Sequence, residues 1–232
     1  MREVLDCLTG AVCLLKKADS DHLMCGKLWK LLNDAHLRLK GMEETNPKLV
    51  GVADLFYKRW TYAHHPVHSL AYVLNPKYSS TDPLSDPSIE RDVNTMLKRY
   101  YPVPADRATI KASMLQYLNR QHNFSPFDED GDDRLCWTDS FIQGMSPWDW
   151  WSRFRIMEPM LAPLAIKVLQ IAVSSSPCER HFSKWAYLIS KYRTRLTLSR
   201  QHKAIYCYSN WRFFEQYEGD KWYCSASESD SE

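Results

Sequence analysis

Three groups of residues have the types and the spacing that chemistry requires, and the first is a group of histidines. His64, His65 and His68 form an H-H-x-x-H pattern. Two histidines four positions apart on a helix can share a zinc ion. Here Pro66 lies between them, and the glutamate of the H-E-x-x-H metalloprotease motif is absent. The pattern therefore favours a helix end, and we predict no metal site.

The second group is acidic. Four aspartates fall at the first, third, fifth and twelfth positions of a calcium-binding loop: Asp128, Asp130, Asp132 and Asp139. The sixth position of such a loop needs glycine but holds Asp133, and the twelfth holds aspartate where glutamate is usual. These departures favour an exposed acidic loop over a calcium site.

The third group surrounds Cys178, which lies beside Glu179 and Arg180 with His181 next. A helix N-terminus can stabilise a thiolate in such a place. The chain has no wider cysteine-protease signature and no G-x-S-x-G motif, so we expect Cys178 to be a small packing residue. Phosphate-cradling G-x-G-x-x-G and G-K-[ST] loops are also absent. We predict no cofactor and no small-molecule substrate.

Cysteine usage and hydropathy indicate the compartment. The seven cysteines are odd in number and include no C-x-x-C pair, which fits a reducing environment better than a disulfide or zinc scaffold. The apolar run from Val4 to Leu15 is broken by Asp6 and is too short to span a membrane. We therefore expect a soluble intracellular protein without a membrane partner.

Helical periodicity identifies the elements that must position these residues. Apolar residues recur at i, i+3, i+4 and i+7 in the stretches 28–39, 49–63, 89–100 and 110–118. Leu70–Leu74 is a short strand candidate inside a helical context. Only seven glycines occur in 232 residues, which argues against a turn-rich all-β fold. The sequence predicts a mainly helical protein.

The C-terminal part repeats the pattern S-P-x-[DE], at Ser146 and again at Ser176. In each copy the serine is the predicted N-cap and the proline the first helical residue. The acidic side chain three positions after the serine is predicted to reach back to the cap amide. Two helices should begin at these places. Between them, a strongly apolar helix is predicted to start near Pro163 and to lie centrally.

The acidic stretch is the clearest internal boundary. We predict a helical region at 1–124, an acidic loop at 125–136, a C-terminal helical region at 137–215 and a disordered acidic, serine-rich tail at 216–232. The formal charge of +2 conceals a further division. The stretch from Pro177 to Phe213 contains eight lysines and arginines and one glutamate. Its formal charge is therefore +7, and that of the rest of the chain is −5. Such a segment can contact nucleic-acid phosphates, or it can be a solvated basic face.

Two motifs carry a family resemblance. Residues 174–183 read S-S-S-P-C-E-R-H-F-S, and residues 189–196 read I-S-K-Y-R-T-R-L. Together they resemble the S-S-x-x-x-E-R-x-F-S and K-x-R-x-R-L elements in the C-terminal dimerisation region of hAT-superfamily transposases. Weaker matches are Trp150-Trp151, Asn210 and the L-A-Y-V-L-N-P-K-Y segment at 70–78. The resemblance covers about residues 64–213 and places the dimerisation region at 137–215.

The resemblance implies an RNase H-like core interrupted by a large helical insertion. The last acid of the family's metal-binding triad corresponds to Glu179, and helix capping is the alternative role for this carboxylate. The other two acids precede the insertion in the family, whereas this chain starts in helical sequence of insertion type. We therefore expect a mainly α fold, with an insertion-type bundle followed by the C-terminal helices of an RNase H-like fold, without its strand core. Two-metal chemistry needs several carboxylates, so we expect Glu179 to be vestigial and the chain not to be an enzyme.

The expected function is dimerisation with itself or with a longer related transposase. The residues predicted to form the interface are apolar: Phe182, Trp185, Ile189, Tyr208, Trp211 and Phe214. The alternative function is salt-dependent nucleic-acid binding through the basic segment 180–212. Its candidate residues are Arg180, Lys184, Lys191, Arg193 and Arg195. Nuclear residence is implied by the resemblance alone.

Overall fold

The computed structural model describes residues 12, 15–19, 23–126, 135–188 and 197–208. These residues form α-helices and short 3-10 turns and contain no strand, which confirms the mainly α prediction. The helices are α1 Cys25–Thr45, α2 Val52–Ala63, α3 Pro66–Val73, α4 Pro87–Tyr100, α5 Pro104–Leu118, α6 Asp139–Gly144, α7 Pro147–Ser152, α8 Leu161–Leu169, α9 Ser176–Leu188 and α10 at 198–208. The 3-10 turns are Pro47–Leu49, Pro76–Thr81, Pro83–Ser85, His122–Phe124 and Leu135–Trp137.

The chain divides into two compact units, which we call unit 1 (Met1–Ser174) and unit 2 (Ser175–Glu232). Helix α3 lies at the centre of unit 1, where it packs against α1, α4 and α8. Every residue from Val67 to Val73 is buried. The strand candidate Leu70–Leu74 is wrong, because a helix buried on all sides has no polar stripe to reveal its helical period.

Prolines and polar caps set the helix starts in unit 1. Helix α4 begins at Pro87, and the Asp86 carboxylate accepts the Ser88 amide at 2.8 Å. Helix α7 begins at Pro147, and the Ser146 hydroxyl accepts the Asp149 amide at 3.3 Å, as predicted. The Asp149 carboxylate contacts the Ser146 hydroxyl. Proline is tolerated at these positions because the first amides of a helix have no partner within it.

The predicted central helix is confirmed as α8, which begins at Leu161 and buries six of its nine residues. Beside it, six aromatic rings form one cluster: Tyr117, Phe124, Trp137, Trp150, Trp151 and Phe154. The three indole N–H groups donate to backbone carbonyls. Trp137 donates to Phe124, Trp150 to Cys136 and Trp151 to Leu74, at 2.8, 2.8 and 2.7 Å. Each of the three indole rings is thereby buried without leaving its one polar atom unpaired.

This aromatic cluster joins the two sides of the predicted acidic boundary. Phe124 precedes residues 125–136, and its ring centroid lies 5.7 Å from that of Trp151, which follows them. Both rings belong to the same hydrophobic core. The division between compact units falls at Ser174–Ser175 and does not coincide with the predicted boundary. The middle of the acidic stretch, 127–134, and the predicted tail at 216–232 lie outside the described residues.

Candidate association surface

Helix α9 of unit 2 begins at Ser176, one residue earlier than the S-P-x-[DE] pattern predicts. The Glu179 amide donates to the Ser175 carbonyl at 3.0 Å, so Ser175 is the residue that precedes the helix. The Ser175 hydroxyl donates to Glu179 Oε1 at 2.9 Å. The capping box predicted for Ser176 is therefore wrong. The helix gains one residue, because proline is compatible with any position of the first turn.

Glu179 is the residue that the resemblance aligns with a catalytic acid. Its side chain is exposed and its carboxylate accepts the Ser175 hydroxyl, which is the helix-start alternative considered for it. Its backbone carbonyl accepts the Ser183 hydroxyl at 3.1 Å, one turn further along α9. Within the described ranges, no three histidine, cysteine or acidic side chains are grouped closely enough to hold a metal ion. A vestigial catalytic role for Glu179 stays a prediction.

Cys178 lies next to Glu179 on α9 and is exposed. The expectation that it is a buried packing residue is wrong. The first turn of α9 places its side chain toward solvent, on the same side of the helix as Phe182 four positions later.

Phe182 and Trp185 are the two predicted interface residues on α9, and they lie one turn apart. Phe182 is 71% exposed. Trp185 is half-buried, and its ring meets that of His202 edge-on, with 5.3 Å between the centroids. This contact packs α9 against α10 within unit 2. Tyr208, near the end of α10, is half-buried, while Ile189, Trp211 and Phe214 lie outside the described residues.

Helix α10 adds two apolar side chains that the sequence analysis did not select. Leu198 and Tyr206 are 66% and 71% exposed. Each lies four positions from His202, and side chains four apart share one face of a helix. They therefore flank the Trp185–His202 contact along α10, as Phe182 flanks it along α9. We call Phe182, Leu198 and Tyr206 the C-terminal apolar surface.

The basic candidates are only partly described. Arg180 and Lys184 lie in α9, although their side chains are not among those described, and Lys191, Arg193 and Arg195 fall in the gap before α10. Arg200 and Lys203 on α10 are exposed and three positions apart. They are neighbours on the helix surface, so two of the segment's positive charges project into solvent together.

The histidine group lies in unit 1 and is a helix end, as predicted. The His65 side chain accepts the Val67 amide at 3.2 Å and caps α3, while the His65 amide donates to His68 Nδ1 at 3.3 Å. His64 Nε2 lies 2.7 Å from an Asp92 carboxylate oxygen that also accepts the Ser69 hydroxyl at 2.6 Å. Burial, together with the charges of His64 and His65, lowers the pKa of His68 to about 4. The group closes the α2–α3 turn and anchors it to α4.

This burial predicts acid sensitivity in unit 1. His68 stays neutral in the folded state until the pH approaches its lowered pKa of about 4, whereas the unfolded side chain takes up a proton near pH 6.5. The unfolded state binds more protons between these values, so the free energy of unfolding falls as the pH falls, by up to about 3 kcal/mol. Urea titrations from pH 7 to pH 4 should show this slope. His68→Gln, which keeps an acceptor for the His65 amide, should flatten it, and His122→Asn at an exposed site should not. An equal slope in wild type and His68→Gln would refute the assignment.

Comparison with known proteins gives a family for the C-terminal region of this chain. Residues 116–211 match the model of the hAT family C-terminal dimerisation region. The resemblance is confirmed over this stretch, which carries a hAT-type C-terminal dimerisation region. Searches of curated proteins and of solved structures gave no match. None of the helices described is long and apolar enough to cross a membrane.

The matched region runs through both compact units. Residues 116–174, from the end of α5 through α8, are part of the unit 1 core, and residues 175–211 belong to unit 2. Part of the dimerisation region is therefore integral to a core that it shares with upstream helices. The C-terminal apolar surface lies in the other part.

Proposed function

We propose that the chain self-associates, or associates with a related hAT-type chain, through the C-terminal apolar surface of unit 2. The observation that carries the proposal is the family match at 116–211, and the exposure of Phe182, Leu198 and Tyr206 supports it. Clustered exposed apolar side chains are typical of association sites. Moving a large apolar side chain from water into a contact is worth about 1.5–3 kcal/mol before the costs of association.

Light scattering over a concentration series, at two salt levels, tests the proposal. An interface of apolar side chains should give a dimer that persists when salt is raised, because its stability does not depend on screened charges. A chain that remains monomeric up to about 50 μM would exclude self-association with a micromolar Kd. Co-purification with a longer hAT-type chain then tests the heterodimer.

A charge placed within the surface should break the contact. Phe182→Asp should weaken dimerisation by at least about tenfold, because an aspartate in an apolar contact is desolvated without a partner. Tyr62→Asp is the matched control, since Tyr62 is also aromatic and 90% exposed but lies outside the family-matched region. Equal dimer affinities for the two variants, measured by sedimentation equilibrium, would place the interface elsewhere.

Nucleic-acid binding by the basic segment is a second candidate function. The charge of +7 between Pro177 and Phe213 and the exposed pair Arg200 and Lys203 favour it. Affinity for duplex DNA should fall steeply with salt, since counterions are released from each neutralised phosphate. Changing Arg193 and Arg195 together to alanine should reduce the slope of log K against log salt by about 2. A weak affinity that neither salt nor this double change alters would exclude the candidate.

We also propose that the chain alone does not cut DNA and that it resides in the nucleus. The first point rests on the exposed, serine-bound state of Glu179 and on the need for several converging carboxylates in two-metal chemistry. A nuclease signal that Glu179→Gln abolishes would contradict it. The second point rests on the transposase family alone, and imaging of a tagged chain tests it.

A further inference from the structure

A cleft of about 200 Å³ opens in unit 1, where α1, the turn Pro76–Thr81 and α7 come together. Its wall is mainly apolar and carries two cationic side chains. The residues that define its character are Leu23, Lys27, Lys77, Met145, Trp148 and Leu169. No residue of the cleft has a role in the proposed association or in the basic segment.

The floor of the cleft is fixed by Gly26 and Asn75. A Cβ atom on Gly26 would lie 2.7 Å from Leu169 Cδ2 and 3.0 Å from Asn75 Nδ2, so only glycine fits without a shift. Asn75 is fully buried, and its amide group donates to the Gly26 carbonyl at 2.9 Å. Its other amide atom, Oδ1, accepts the Lys77 backbone amide at 3.1 Å. The backbone beneath Lys77 is thus tied to α1, and the cleft is formed before any ligand arrives.

The two lysines give the cleft an uncompensated positive charge. Lys77 is half-buried, and its ammonium group donates to the Gln143 carbonyl at 3.1 Å. Burial, and next the charge of Lys27, lower the pKa of Lys77. Neither ammonium group forms an ion pair with an acidic side chain among the residues described. An anion between them would remove the repulsion and satisfy their remaining donors.

We propose that this cleft binds a phosphomonoester, with Lys27 and Lys77 contacting the phosphate oxygens and Trp148 offering apolar surface to the rest of the ligand. A phosphomonoester carries a charge near −2 at neutral pH, which matches two ammonium groups. A phosphodiester carries only about half that charge. The lysine ammonium group is a compact charge with three hydrogen-bond donors. Two lysines can therefore donate to several phosphate oxygens without the fixed fork geometry of an arginine guanidinium group.

The test follows the Trp148 indole N–H signal by NMR in the full chain, with the signal assigned by Trp148→Phe. Inorganic phosphate is titrated against chloride at equal ionic strength. A saturable shift with phosphate and none with chloride is expected. Lys27→Gln should raise the apparent Kd about tenfold, the usual effect of losing one charge-assisted hydrogen bond. Lys98→Gln, at an exposed position of α4, is the matched control and should leave the Kd unchanged.

Two further experiments test which kind of molecule supplies the phosphate and whether the charges of Lys27 and Lys77 repel each other. If duplex DNA shifts the Trp148 signal with a lower apparent Kd than inorganic phosphate does, the monoester proposal is overturned. The cleft is then assigned to the phosphates of a nucleic-acid backbone. Lys27→Glu should abolish phosphate binding and raise the Tm, because the new carboxylate faces Lys77. The proposal fails if phosphate and chloride act alike, if Lys27→Gln binds phosphate as the wild type does, or if Lys27→Glu lowers the Tm.

Discussion

Replacing Trp151 with alanine should lower the free energy of unfolding of unit 1 by about 3–5 kcal/mol. The Trp151 side chain is fully buried, and its ring centroid lies 4.8 Å from Tyr117 and 5.2 Å from Trp150. Its indole N–H also satisfies the Leu74 carbonyl at 2.7 Å. The substitution therefore opens a cavity in the core and leaves a buried carbonyl without its donor. Urea unfolding followed by circular dichroism measures the loss.

Two variants separate these contributions. Trp151→Phe keeps most of the ring volume but removes the donor, so it should cost about 1–3 kcal/mol. Trp148→Ala, on the same short helix, removes a ring that is only half-buried and should cost clearly less than Trp151→Ala. A loss for Trp151→Ala no larger than that for Trp148→Ala would mean that the aromatic cluster does not stabilise unit 1.

A fragment that starts at residue 116 should fail to form the unit 1 core, although it contains the whole family-matched region. The fragment keeps the residues of the six-ring aromatic cluster but loses α1 to α4 and most of α5. It therefore lacks the Leu74 carbonyl and the buried side chains of α3 that α8 packs against. We expect no cooperative unfolding transition and no native near-ultraviolet circular dichroism from its tryptophans. The truncation therefore removes the folded state of the unit 1 core and not merely a single contact.

A fragment that ends at residue 174 is the matched control. It retains every helix of unit 1, from α1 through α8, and should unfold cooperatively. If the fragment starting at 116 gave a native tryptophan spectrum and a sharp transition, the upstream helices would be dispensable. The family-matched region would then be an independent domain, as its sequence boundary suggests.

Local rules predicted the helices well, because each rule acts within a few residues. The stripe at 89–100 became α4 with Asp86 as its cap, and the apolar run near Pro163 became α8. The rules failed where a helix has no polar stripe, and where a helix start differs by one residue from the predicted one. α3 is buried on all sides and has no stripe. Helix α9 begins one residue before the start that its S-P-x-[DE] pattern predicts.

The candidate sites were less predictable, because their geometry depends on contacts between distant residues. The dimerisation motif located α9, and Phe182 is exposed as an interface residue should be. Leu198 and Tyr206 were not found, although their spacing of four about His202 is a signal in the sequence. Lys27 and Lys77 are fifty positions apart, and no local pattern indicates that they face one cleft. Their proximity depends on Asn75 binding the Gly26 carbonyl.

The hydrogen bond between Trp151 and Leu74 joins residues 77 positions apart, and this separation bears on how the chain is made. At a synthesis rate of about 5–20 residues per second, Leu74 at the end of α3 is added to the chain roughly 4–15 s before Trp151. During that interval the apolar side chains of α3 have no complete core to enter. The nascent chain is then a natural client for chaperones that hold apolar segments. Codons that slow translation between α3 and α8 would lengthen this exposure and increase aggregation without changing any residue of the folded protein.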